Sequence, residues 1–184
     1  MLIILGGLPG TGKTTIAREL ARQIEAVHVR IDSIEQAIRN SDLRGQPLNN
    51  AGAGYVVGYA IAEDNLRVGR TVIADSVNSI QITRDAWIAV AKRAQVISVE
   101  IEVVCSDIDA HRRRVEGRVA DIAGMRLPTW QEVVQHDYSP WIRDRVMIDT
   151  ARQSVGESVQ TIRDALTELS RNQSATAGFI PVER

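Results

Sequence analysis

Gly7-Leu8-Pro9-Gly10-Thr11-Gly12-Lys13-Thr14 brings together, at fixed spacing, the residue types that hold a polyphosphate. The run fits G-x-x-x-x-G-K-[ST], the phosphate-cradling P-loop. Gly7, Gly10 and Gly12 open backbone angles closed to residues with a Cβ, so several N–H groups turn inward as an anion-binding nest. A helix beginning near Lys13 adds free N–H groups and the positive end of its dipole. Lys13 then reaches the β- and γ-phosphates of a nucleoside triphosphate as a point charge, and the Thr14 hydroxyl ligates Mg²⁺. The expected nucleotide-binding set is Gly7, Leu8, Pro9, Gly10, Thr11, Gly12, Lys13, Thr14 and Thr15.

Two carboxylates stand where transfer chemistry needs them. Asp32 ends the second strand-like run, Ala26 to Ile31, and opens a helix, so it suits a general base that takes the proton of an acceptor. Asp is equally a favoured N-cap, and one residue can serve both ends. Asp75 closes another apolar run and suits the acidic residue that holds Mg²⁺, directly or through water; the alternative is an ordinary turn residue in Asp75-Ser76-Val77-Asn78. Asn78 is a further candidate for binding the acceptor. The concentrated basic stretch is His111-Arg112-Arg113-Arg114-Val115-Glu116-Gly117-Arg118. Arg114 and Arg118 share a helix face at i and i+4. With the loop-like Val119 to Pro128 they describe a lid over about 112–128 that closes arginines over the triphosphate; the alternative is a solvated basic face. His28, His111 and His136 have no metal-ligand spacing and read as structural or exposed, while Tyr55, Tyr59 and Trp141 read as packing residues.

The elements that position these groups follow from periodicity. Met1 to Leu5 reads as a buried strand, and Ile16, Leu20 and Ile24 as the stripe of an amphipathic helix. Ala26 to Ile31 reads as a second strand, followed by a helix that Ser33-x-x-Gln36 would cap as a box. Arg44 to Asn50 is a polar loop. Tyr55, Tyr59, Ala62 and Leu66 mark a long helix stopped by Gly69. Thr71 to Ala74 is a third strand, Trp87, Val90, Ala91 and Ala94 lie on a helix, and Val96 to Val104 is a fourth strand. In that strand Ser98, Glu100 and Glu102 alternate with apolar residues, which predicts a half-covered face. Ser106-x-x-Asp109, Thr129-x-x-Glu132 and Ser154-x-x-Glu157 read as helix starts. Val146 to Ile148 is a fifth strand, and residues from about Asn172 read as a loose tail. Five strands alternating with helices imply a parallel sheet covered on both faces, with ligands at the carboxyl ends of the strands.

With 184 residues, 44% hydrophobic and 24% charged, the chain reads as one ordinary globular domain. A formal charge of −1 argues against a general nucleic-acid binder. The single cysteine, Cys105, excludes an internal disulfide, fits a reducing cytosol and reads as a buried structural thiol. With no signal peptide and no run of transmembrane length, a cytoplasmic protein is expected.

The P-loop with its second threonine, Arg30-Ile31-Asp32-Ser33, Asp75 after the third strand, and Cys105-Ser106-Asp107 leading into His111-Arg112-Arg113-Arg114 together resemble the small P-loop kinases. That group includes adenylylsulfate-kinase-like proteins, gluconate kinases, chloramphenicol phosphotransferases, zeta toxins and the kinase domain of polynucleotide kinases. The resemblance spans roughly residues 1 to 170. It implies a three-layer α/β fold with a five-stranded parallel sheet in order 2-3-1-4-5, ATP with Mg²⁺, and transfer of the γ-phosphate to a small-molecule hydroxyl. It also implies Asp32 as base, Arg114 and Arg118 as lid arginines, and Thr150 with Ala151 against the adenine. Many relatives carry D-x-x-R after the second strand where this chain has Asp32-Ser33-Ile34-Glu35, which disfavours an adenylylsulfate or polynucleotide acceptor. The resulting expectation is a kinase domain at residues 1–171 with a tail at 172–184. Its catalytic residues are Lys13, Asp32, Arg114 and Arg118, its metal ligands Thr14 and Asp75, and its partners ATP and an unidentified small molecule, as monomer or homodimer. Alternatives are a nucleoside or nucleotide kinase, a nucleotide-dependent switch, or a zeta-like toxin.

Overall fold

The computed structural model describes residues 1–41 and 52–177. The chain runs β1 (Leu2–Gly6), α1 (Lys13–Ile24), β2 (Val27–Arg30), α2 (Ile31–Asn40), α3 (Ala53–Arg67), β3 (Val72–Asp75), α4 (Gln81–Arg93), β4 (Ser98–Val104), α5 (Ile108–Glu116), α6 (Trp130–Val134), β5 (Val146–Asp149) and α7 (Val155–Ala177). The strands form one parallel sheet in the order β2-β3-β1-β4-β5, with helices on both sides. This is the expected three-layer α/β architecture.

The faces sort by alternation. Ile3, Leu5, Ile73, Val99, Ile101 and Ile148 pack against Ile16 and Leu20 of α1 and Val159 and Ile162 of α7. Leu2, Ile4, Val72 and Ala74 point the other way, onto Ala62 and Leu66 of α3 and Trp87 and Val90 of α4. Both faces of β1 are therefore covered, which is why it reads as an unbroken apolar run. Each such side chain, fully buried, contributes about 1.5–3 kcal/mol. The register sets Leu5 and Arg30 each opposite Asp75, so the carboxyl ends of β1, β2 and β3 are level. The P-loop, the start of α2 and the loop after β3 thus open onto one edge.

Several local expectations differ from the structure. Helix α2 follows β2 without a loop: Arg30 stands at the N-cap, and no side chain caps it. Asp32 and Ser33 fall inside the first turn, so the Ser33-x-x-Gln36 box does not form and Asp32 is not a cap. Asp107, not Ser106, caps α5 by accepting from the Ala110 N–H at 2.9 Å. The Ser106 hydroxyl instead donates to the Asp149 carboxylate. The Thr129–Glu132 capping box is present, and Ser154 and Glu157 exchange the same reciprocal contacts at the start of α7. Helix α7 continues through Ala177, past Asn172, where the sequence suggested a loose tail. The polar loop expected at Arg44 to Asn50 lies outside the described residues.

The face of β4 that carries Glu100 and Glu102 is covered, not half-exposed: the two residues are 5% and 7% exposed. The chain between α6 and β5 lies over them, and Arg143 and Arg145 pair with Glu100 and Glu102 in turn. Beneath it sits Arg84, fully buried. Its guanidinium donates to the carbonyls of Asn78, Ser79, Ser139 and Pro140 at 2.7–3.0 Å and lies 4.2 Å from the Trp141 ring centre. Arg84 thereby ties the loop after β3 to the segment before β5. Among the described residues no helix is long and apolar enough to cross a membrane.

Candidate active site

The glycine loop bends back on itself between β1 and α1. Gly7, Gly10 and Gly12 have φ of 140°, 86° and 100°, so the loop needs residues free of a Cβ. At Gly7 a Cβ would also stand 2.1 Å from the Val103 carbonyl oxygen. Internal bonds hold the bend: the Thr11 hydroxyl donates to the Leu8 carbonyl at 2.9 Å, and the Lys13 ammonium donates to the same oxygen at 3.2 Å. External bonds fix it to three neighbours. The Gly7 N–H donates to Val77 O, the Thr150 hydroxyl donates to Thr11 O at 2.8 Å, and His111 Nε2 lies 2.8 Å from Pro9 O. A carbonyl only accepts, so Nε2 of His111 carries the proton. Trp130 meets the His111 ring edge-on at 5.2 Å, fixing its orientation.

Lys13 is buried, which pushes its pKa below the ordinary lysine value against the opposing pull of Asp75 and Asp32. Asp75 is 2% exposed. Burial raises its carboxyl, but the hydrogen bond from His28, the Lys13 charge and the Thr14 hydroxyl outweigh it and hold the group below the usual carboxylate range. The His28 contact is 3.1 Å. An ionised carboxylate beside a hydroxyl offers the hard oxygen donors that Mg²⁺ takes, so Thr14 and Asp75 fit that ion. Among the described residues no cluster of three or more His, Cys, Asp or Glu could hold a metal by itself. A cation here therefore needs ligands from bound phosphate or water.

Asp32 and the P-loop line one cavity of about 560 Å³. Its walls include Lys13, Thr14, Thr15 and Asp32 on one side and Arg113, Arg114 and Arg118 of the α5 region on the other; Val77, Met125, Pro128 and His136 also line it. A second cavity of about 310 Å³ adjoins it across Gly12 and Thr15, lined by Arg114, Thr150, Gln153, Ser154 and Ser158 among others. Arg114 borders both. Its two terminal nitrogens donate to the Thr150 hydroxyl at 2.7 Å and the Thr150 carbonyl at 3.0 Å, so its edge is fixed. Arg118 lines the first cavity, and its positive charge adds to the lowering of the Lys13 pKa.

The structure thus brings together Pro9, Gly10, Gly12, Lys13, Thr14, Thr15, Asp32, Arg114 and Arg118 around one cavity, with Asp75 buried behind Thr14; Gly7, Leu8 and Thr11 of the expected set do not line it. Asn78 does not join them. It is fully buried with φ of 48°, and its amide donates to the Leu5 carbonyl at 2.7 Å, so it holds a strand end and is closed to any acceptor. Cys105 is partly exposed at the end of β4, with its sulfur 3.7 Å from Arg114 Nη1, and is not the buried thiol expected. His28 and His111, read as structural or exposed, are supports, as are Arg30 and Arg84, to which the sequence analysis gave no role. Arg30 stands in the strand-end string before Asp32, the one local signal for it; His111 and Arg84 make contacts across the fold that no local pattern announces.

Comparison with known proteins agrees with this fold. The family profile described as AAA domain, AAA_33, matches residues 2–135. No curated protein matches the sequence. Among solved structures, the Mycobacterium tuberculosis APS kinase CysC in complex with AMPPNP and APS is similar at TM-score 0.68 and 17% identity, over 90% of this chain and 96% of that one. A gluconokinase from Sinorhizobium meliloti 1021 is similar at TM-score 0.65 and 18% identity, over 95% of both chains. Chaetomium thermophilum Kti12 in complex with ADP-AlF3 is similar at TM-score 0.64 and 23% identity, over 90% of this chain and 98% of that one. These likenesses establish the fold as the one that small P-loop kinases adopt. The profile match extends over well more than half of the chain, which belongs to the AAA domain family AAA_33.

Proposed function

We propose that this chain is an ATP-dependent phosphotransferase that moves the γ-phosphate to a hydroxyl of a small molecule. The observation that carries the reading is one cavity walled by Lys13, Thr14 and Asp32 on one side and by Arg113, Arg114 and Arg118 on the other. The P-loop N–H groups and Lys13 hold the phosphates, and the acceptor occupies the end of the cavity beside Asp32, Val77, Met125 and His136. Asp32 takes the hydroxyl proton as the acceptor oxygen bonds to the γ-phosphorus and the bond to the β-phosphate oxygen breaks, releasing ADP. Thr14 and Asp75 would hold Mg²⁺, which would supply positive charge to offset that developing on the transferring phosphate. The segment around 112–128 is the lid, and Arg118 stabilises the transferring group from it. Arg114, pinned by Thr150, walls off the neighbouring cavity, which takes the nucleotide base. ADP release from Mg·ATP, measured across sugars, nucleosides, hydroxylated metabolites and antibiotics, tests the reading. At least one compound raises turnover strongly for the wild type and barely for Asp32→Asn. A panel without effect while Mg·ATP is demonstrably bound refutes the assignment and moves the nucleotide-dependent switch ahead.

A further inference from the structure

Asp121 lies in the lid, and among the described residues the hydrogen bonds from 118–128 to α1 and β2 all end on its carboxylate. Arg18 of α1 donates one of them. Arg30, at the end of β2, donates two, at 2.8 and 3.1 Å. The Arg30 guanidinium is 6% exposed, and its Nη2 also stands 3.7 Å from the Asp32 carboxylate. One buried cation therefore sits between a lid carboxylate and the proposed base, and only the lid carboxylate has closed hydrogen bonds to it. The other nearby acid, Asp75, is already engaged by His28 and Thr14.

A buried guanidinium is costly to leave unpaired. When the lid lifts, Asp121 leaves with it, and Asp32 is the nearest remaining carboxylate. We propose that Arg30 is a positioning residue shared between lid and base: Asp121 holds it while the lid covers the P-loop, and Asp32 takes it when the lid opens. Resting on the phosphotransferase reading, this gives the site a safeguard. In the open, wet state Asp32 is neutralised by Arg30 and does not activate water toward the γ-phosphate. In the closed state Asp32 keeps only the 3.7 Å charge contact and no hydrogen bond to Arg30, which leaves its carboxylate free to accept from the acceptor hydroxyl.

Carboxyl labelling with a water-soluble carbodiimide and an amine, quantified at Asp32 by mass spectrometry on the full chain without acceptor, reads this exchange. Asp121→Asn, at a partly exposed position, removes the competing charge. Asp32 labelling then falls about threefold, the scale of change that a partly exposed ion pair supports. Trypsin also cuts faster after Arg118 in the freed lid. Adding Arg30→Gln to Asp121→Asn restores Asp32 labelling to the wild-type level or above. Arg18→Gln, which leaves Arg30 on Asp121, keeps Asp32 labelling at the wild-type level and serves if the Arg30 variant does not fold. Unchanged Asp32 labelling in Asp121→Asn, or an equal fall in Arg18→Gln, overturns the proposal. Because labelling needs no acceptor, its outcome is separate from that of the ADP-release panel.

Discussion

Replacing Arg84 by Met tests whether a buried cation organises the loops that border the cavity. Arg84 is fully buried and donates four hydrogen bonds to backbone carbonyls, two in the loop after β3 and two in the segment before β5. Hydrogen bonds from a charged donor contribute about 1.5–3 kcal/mol each, so four sum to roughly 6–12 kcal/mol gross. Burying the guanidinium offsets several kcal/mol of that. Methionine fills much of the space against Trp141 but leaves four carbonyls without a donor, so the net loss is about 3–5 kcal/mol. In a domain of this size 1 kcal/mol shifts Tm by about 2–4 °C, which gives a fall of roughly 6–20 °C by circular dichroism. Arg84→Lys keeps the charge without the planar fork and recovers only part of the loss. A fall of less than about 2 °C for Arg84→Met would show that the desolvation cost cancels the hydrogen bonds, as replacement of buried ion pairs by apolar residues does elsewhere.

Three further outcomes are expected. Gly7→Ala forces φ of 140° on an alanine and sets its Cβ 2.1 Å from the Val103 carbonyl oxygen; it costs at least about 2 kcal/mol in a thermal melt and abolishes Mg·ATP binding by calorimetry. Thr150→Val removes the hydroxyl that joins Thr11 to Arg114 and weakens Mg·ATP about tenfold. The Thr129 backbone N–H, Arg126 and the Thr129 hydroxyl lower the Glu132 pKa from 4.5 to about 2. The folded value is the depressed one, so this contribution is complete above pH 4.5 and is lost as pH falls toward about 2. Thermal melts of Glu132→Gln therefore lose less stability than wild type over that window.

The parts of the fold legible in the sequence were those written in local pattern. The P-loop string fixes its own bend, because glycines must stand where φ is positive. The strand-like runs before Asp32 and Asp75 marked the right places: the register carries Asp75 to the P-loop edge, and Asp32 reaches it from the first turn of α2, two residues past the end of β2. Distance in the chain hid the rest. Glu100 and Glu102 alternate as exposed residues do, yet arginines some forty positions later neutralise them and close the face. Ser33-x-x-Gln36 matched a capping box, but β2 passes straight into α2, and burial of Ile31 at 2% exposure starts the helix earlier. Asn78 looked like a turn residue free for ligand. Its left-handed backbone instead turns the amide inward to the Leu5 carbonyl.

The central claim concerns where the γ-phosphate goes. The most direct measurement incubates the wild type and Asp32→Asn with γ-labelled Mg·ATP and a small-molecule extract, and follows the label by chromatography and mass spectrometry. The account predicts that the label appears in an organic phosphate monoester with the wild type and nearly disappears from it with Asp32→Asn. Label recovered solely as inorganic phosphate, at equal rates for both proteins, would contradict it.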